Sequence, residues 1–150
     1  MKTLSKPLFF IFLLLTALSS HLARAEQAQD FGQYSVHYIT VNSNFIDADI
    51  AEQYGIVRGK RRAFVNISIL KNTSDGRTTP VTANLSGTKK NLLQQIENID
   101  FVQVQEGEAI YYLGQFDFSN AEKLSFDIDV QPEASGATYS LKWNNTLYNN

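Results

Sequence analysis

Hydrophobic and polar residues alternate along most of this chain from position 34 onward. Tyr34, Val36, Tyr38 and Thr40 interleave with Ser35, His37, Ile39 and Val41, and Val65, Ile67 and Ile69 interleave with Asn66, Ser68 and Leu70. Toward the C-terminal end the pattern sharpens. Phe126, Ile128 and Val130 stand against Ser125, Asp127 and Asp129, and Tyr139, Leu141 and Trp143 against Ser140, Lys142 and Asn144. A period of two sends successive side chains to opposite faces of a strand. Charges at every second position put one face in water, which favours antiparallel pairing. Ile110-Tyr111-Tyr112-Leu113, followed by Phe116-Asp117-Phe118, reads as a more buried strand with a bulge at Gly114.

Turn residues separate these runs. Asn72-Thr73-Ser74-Asp75-Gly76-Arg77 carries a D-G pair between two strand-like runs and predicts a hairpin loop. Ser86-Gly87-Thr88, Glu106-Gly107-Glu108 and the stretch 132–136 supply further breaks. Pro80, which has no N–H for a ladder, is expected at a strand start. The stretch 47–54 departs from the alternation: it is rich in helix formers, opens on Asp47 and Asp49 and stops at Gly55. Acids suit the positive end of a helix, and Gly55 suits a left-handed cap, so about two turns of helix are predicted. Leu92, Leu93 and Ile96 fit either a helical turn or a bulged strand. About seven strands with turns near every ten residues predict an all-β, mainly antiparallel fold. The architecture expected is an immunoglobulin-like β-sandwich with one short helix, without the Cys–Trp–Cys hallmark of true immunoglobulin domains.

The first 25 residues read differently. Lys2 and Lys6 precede an apolar run from Leu8 to about Leu18, and Ala23-Arg24-Ala25 matches a small-residue cleavage pattern. That run is shorter than the roughly 20 residues of a membrane span. Residues 1–25 are therefore expected to be a cleaved secretion signal, leaving one domain over 26–150, exported to the periplasm and without a membrane span. Taking Lys2, Lys6 and Arg24 away leaves ten Lys+Arg against fifteen Asp+Glu, a net acidic domain. Nucleic-acid binding, which needs clustered cations, is not expected. The local exception is Arg58-Gly59-Lys60-Arg61-Arg62, read as a solvated strand lead-in or a contact for an anionic partner. The chain has no Cys, which rules out thiolate catalysis and zinc–thiolate or iron–sulfur sites.

Catalytic signatures are missing. His37 is the only His after position 25, leaving little room for a triad, and no G-x-S-x-G, phosphate-binding or dinucleotide-binding motif occurs. No cofactor is expected. Asp127 and Asp129 share a strand face, and Asp117 on a neighbouring strand would complete an acidic patch for a hard cation or, less simply, for a hydrolase. Asn66-Ile67-Ser68, Asn72-Thr73-Ser74, Asn84-Leu85-Ser86 and Asn144-Asn145-Thr146 match the glycosylation sequon, a short motif that recurs by chance.

Several stretches carry a family resemblance. They are Gly32-Gln33-Tyr34-Ser35-Val36-His37-Tyr38, Asn42-Ser43-Asn44-Phe45, Asn66-Ile67-Ser68-Ile69-Leu70 and Ala109-Ile110-Tyr111-Tyr112-Leu113. The most specific are Tyr54-Gly55-Ile56-Val57-Arg58 and Phe126-Asp127-Ile128-Asp129-Val130-Gln131-Pro132. Together they resemble the DUF4426 family of small exported gammaproteobacterial proteins, whose function is unknown. The resemblance implies a periplasmic β-sandwich and a Gram-negative host, and carries over no catalytic residues. The function expected is a non-enzymatic interaction module that meets an envelope protein. Its surface would comprise His37, Asn42, Asn44, Arg58, Lys60, Arg61 and Arg62, beside the 47–54 helix. The alternative is a small-ligand or metal-ion carrier built on Asp117, Asp127 and Asp129, with His37 as a further donor.

Overall fold

Two antiparallel sheets packed face to face make up the protein, seen in a computed structural model that describes residues 27–133 and 136–149. The secretion signal read at 1–25 lies outside the described residues. One sheet contains β1 (Gln27–Phe31), β2 (Tyr34–Asn42), β3 (Arg62–Asn72), β4 (Thr78–Pro80), β7 (Phe101–Glu106) and β8 (Ala109–Asp117). Its order is β1-β2-β3-β8-β7, with β4 paired to the end of β3. The second contains β5 (Ala83–Asn91), β6 (Ile96–Ile99), β9 (Glu122–Pro132) and β10 (Tyr139–Leu147), in the order β10-β9-β5-β6. A 3-10 turn at Ser43–Phe45 and α1 (Ala48–Gln53), the single α-helix among the described residues, link β2 to β3.

The predicted alternation is what builds the core. Val36, Val65, Ile67 and Ile69 point inward from the first sheet against Leu124, Phe126, Ile128, Val130 and Leu141 from the second. Trp143 stacks on Phe126 at 4.6 Å between centroids and tilts against Tyr38 at 4.7 Å. Lys89 also points inward from β5; its ammonium lies 2.9 Å from Glu97 on β6 and 5.7 Å from the centre of the Phe116 ring.

Several local expectations are corrected. The described residues form ten strands rather than about seven, because β1, β4 and β6 are too short or too exposed to show a period. Pro80 closes β4 instead of opening a strand, where its missing N–H is harmless. No bulge occurs at Gly114: Val65 and Phe101 pair with it in unbroken register on both sides. The glycine is needed for space, because a Cβ there would stand 2.8 Å from Phe101 Cε1 and closer still to Ile99. Residues 91–97 form neither a helix nor a bulged strand. They make a tight turn and then β6.

The chain passes between the sheets at residues 81–83, and its peptide groups there are matched to both. Val81 N–H donates to Ile69 C=O at 3.0 Å, and Thr82 C=O accepts from Glu133 N–H at 2.8 Å. Ala83 N–H donates to the Tyr112 hydroxyl at 2.7 Å. At this end of the sandwich Glu133 also latches the sheets. It accepts a hydrogen bond from the Tyr34 phenol and an ion pair from Lys71 at 2.9 Å.

A second, smaller apolar layer covers the outer face of the β3–β8 sheet. Ala51 and Ile56 pack on Phe64 and Leu113, flanked by Val41, Ile46, Tyr54 and Val104. The end of α1 sets this up. Gly55 takes φ +64°, its N–H donates to Glu52 C=O at 3.2 Å, and Ile56 N–H donates to Ala51 C=O at 2.7 Å. This is a Schellman ending, and its apolar contact, Ile56 with Ala51, seats the helix on the sheet.

Candidate functional site

After α1 the chain returns to β3 through a pinned loop. Gln115, on the outer sheet face, accepts from Val57 N–H at 2.7 Å and donates to Gly55 C=O at 2.9 Å. Ser43 accepts from Gly59 N–H at 3.0 Å, and Arg58 donates to Asn44 C=O at 3.3 Å. Arg61 and Phe118 exchange bonds, with Phe118 N–H donating to Arg61 C=O at 3.0 Å and Arg61 Nε to Phe118 C=O at 3.4 Å. Arg62 pairs with Asp117 at 3.3 Å. The backbone of 57–61 is thus held while Arg58, Lys60 and Arg61 remain exposed.

An element that the sequence pattern did not reveal stands at the same end. The β5–β6 turn is organised by Asn91, whose Oδ1 accepts from Leu93 N–H at 3.0 Å and Gln95 N–H at 3.1 Å. Gln94 sits in the left-handed region at φ +64°. The turn presents Leu92 and Leu93 to solvent, 72% and 79% exposed. Asn91 Nδ2 reaches Glu122 at 3.4 Å, and Glu122 accepts from Ser119 N–H at 2.6 Å, next to Phe118 and hence to Arg61. Further exposed apolar residues share this end, among them Phe45, in the turn after β2, and Tyr148, whose C=O accepts from Asn42 Nδ2 at 2.8 Å. The only sequence signal for the tip is a Leu pair lying between Lys89-Lys90-Asn91 and Gln94-Gln95.

The predicted surface is therefore divided. Arg58, Lys60, Arg61 and Arg62 share this end with Asn42 and Asn44. Asn42 is buried, and its amide ties β2 to the end of β10. His37 lies elsewhere. It pairs with Ser68 on the outer sheet face, five residues back from Asn42 along β2 and hence about 17 Å away.

The carboxylates expected to converge do not. Asp127 and Asp129 face outward on β9, where Asp127 pairs with Lys142 at 2.8 Å and accepts from Ser140 at 3.2 Å. Lys142 chiefly, with Ser140, holds the Asp127 carboxyl below its usual range. Asp117 ends β8 in the other sheet, so it is not a neighbour of β9. Among the described residues no group of three or more His, Cys, Asp and Glu comes together, and no helix is long and apolar enough to cross a membrane.

A family model described as a domain of unknown function, DUF4426, matches residues 28–150. The chain belongs to the DUF4426 family. A crystal structure of a DUF4426 family protein from Pseudomonas aeruginosa PAO1 superposes with a TM-score of 0.73 at 30% identity, covering 85% of this chain and 98% of that one. FetP of uropathogenic Escherichia coli strain F11, expressed recombinantly in the periplasm, is similar to this DUF4426 chain with a TM-score of 0.59 at 10% identity. That match covers 83% of this chain and 94% of FetP. A copper-bound variant of FetP gives 0.57 at 10% identity, over 81% and 94% of the two chains. At that identity the likeness to FetP is one of fold. No sequence among the curated proteins matches this DUF4426 chain.

Proposed function

We propose that this DUF4426 protein is a non-enzymatic periplasmic interaction module, and that its contact surface is the end of the sandwich carrying Arg58, Lys60, Arg61 and the Leu92–93 tip. The observation that carries this reading is the pairing of a held, cation-bearing loop with a turn built to keep two leucines in water. Exposed apolar residues scattered singly need no explanation. A pre-organised pair at the same end of the sandwich as Phe45, Tyr148 and the cations has the make-up of an interface centre with a polar rim. A partner presenting an apolar pocket edged by carboxylates fits it best. The signal-like sequence at 1–25 supports export. The copper named for the FetP variant is said of that protein, and among the described residues of this chain no cluster of His, Cys, Asp and Glu supports carrying it over.

Photo-cross-linking in cells tests the reading, with the reactive side chain at position 93 and, as a control, at position 84 on the polar outer face of β5. A single envelope protein captured from 93 and not from 84, and lost in Arg58→Ala/Arg61→Ala, is the expected result. Identical capture from both positions would overturn it. Leu92→Ser is expected to weaken capture from position 93 while changing stability by less than about 0.5 kcal/mol, as for surface sites generally.

A further inference from the structure

Beneath α1 the small apolar layer is incomplete. On the outer face of the β3–β8 sheet it leaves a cleft of about 260 Å³. Phe64 and Leu113 form its floor, Ile56 and Val104 its walls, and Tyr54 and Glu106 stand at its mouth. Asn66 also lines it, as the outward residue of β3 two places beyond Phe64 and directly opposite Leu113 in the ladder. Its Oδ1 is buried and accepts no hydrogen bond from the described residues. Buried polar atoms are rarely left unmatched, because an unmade bond costs the full desolvation of the group. A second acceptor lines the cleft beside the Tyr54 and Tyr111 hydroxyls. Glu106 accepts a hydrogen bond from the Tyr54 hydroxyl, and burial together with this bond raises the Tyr54 pKa. The polar atom left unmatched in this apolar cleft is thus an acceptor, and an unmatched buried acceptor selects a donor.

We propose that this cleft binds a small flat apolar molecule carrying one N–H or O–H group, with its ring on Phe64 and Leu113 and its donor on Asn66 Oδ1. Size sets the upper limit. An apolar cavity of about 150 Å³ holds benzene, so the cleft admits two fused rings and is too small for most drug-sized ligands. The site is separate from the cation-bearing end of the sandwich and stands or falls independently of it.

The test is a methyl-resolved NMR titration of the chain 26–150 with indole and 2-naphthol, which carry a donor, and with 1-methylindole and naphthalene, which do not. Saturable shifts are expected at the methyls of Ile56, Val104 and Leu113. The donor-bearing compounds should bind about tenfold more tightly than their counterparts, the worth of one hydrogen bond to a buried acceptor. Asn66→Leu is expected to erase that preference, and Leu113→Trp to abolish binding by filling the cleft. The preference in the unmodified protein reads the same property should Asn66→Leu fail to fold. Absence of saturable shifts with all four compounds, equal affinity within each pair, or shifts elsewhere on the protein would overturn the proposal. So would shifts at these methyls that follow protein concentration alone, which would mean that a second copy covers the cleft.

Discussion

Gly114→Ala places a methyl group where β8 has no room for one. The residue faces inward between β3 and β7, and the added carbon would meet Ile99 and, at 2.8 Å, Phe101 Cε1. Overpacking of a close-packed interior costs about 1–3 kcal/mol. The lower entropy of alanine in the unfolded chain returns about 0.4–1 kcal/mol, since this glycine does not need a positive φ. The net expectation is a loss of about 1–2 kcal/mol. For a domain of this size that lowers the midpoint of thermal unfolding by about 4–8 °C. Trp143, the only tryptophan, is half-buried against Phe126 and Tyr38 and makes a direct fluorescence reporter for urea unfolding. Gly136→Ala is the control, because the nearest atom to its added carbon is an ordinary 3.6 Å away. Ile99→Ala closes a double-mutant cycle, and removing the obstructing side chain should recover part of the Gly114→Ala loss. A Gly114→Ala variant within about 0.5 kcal/mol of the parent, or strict additivity with Ile99→Ala, would refute the packing argument.

Lys89 and Glu97 should respond unequally to substitution. Lys89 is only 5% exposed and carries its ammonium between the sheets, so Lys89→Met is expected to be neutral or stabilising in urea unfolding. Glu97→Ala, which leaves that ammonium without its partner, should cost about 1–2 kcal/mol, reduced from the fully buried case because Glu97 is 63% exposed. Equal losses for the two would contradict the assignment. The Glu133 latch should be pH-dependent. Hydrogen bonds from Tyr34 and Lys71 lower its carboxyl below the ordinary 4.5. The stabilisation is therefore complete above that value and fades as pH falls through the folded-state pKa. Unfolding midpoints taken across this acid range should converge for the parent and Glu133→Gln at low pH and differ at neutral pH. A constant gap would refute the latch.

How much of this was legible depended on how many faces of each strand meet water. β2, β3, β9 and β10 show their period because alternate residues are solvated. The Schellman ending at Gly55 was legible because helix caps are local. β8 was only half legible. α1 covers its outer side, so Leu113 is buried along with Tyr112 and the alternation vanishes. Gly114 then resembled a bulge, because its real constraint comes from Ile99 and Phe101 on another part of the chain. β6 gave no signal, as its approach displays the leucines that a pattern would place inside. At the candidate site the cation cluster could be read directly from 58–62. Which sheet holds Asp117, how far His37 lies from Asn42, and which side chains enclose Asn66 all follow from long-range pairing that composition does not encode.

The crossing at residues 81–83 bears on how the two sheets keep their alignment. Apolar faces pressed together resist separation far better than sliding, because a small lateral offset exchanges one set of methyl contacts for another. Here three consecutive residues grip both layers, through Ile69 and Tyr112 on one side and Glu133 on the other. The passage therefore works as an alignment pin. A cut in the exposed Asp75-Gly76 turn would leave this passage whole, whereas a cut at 81–83 would remove it and leave the offset to the Glu133 latch and the remaining contacts between the sheets.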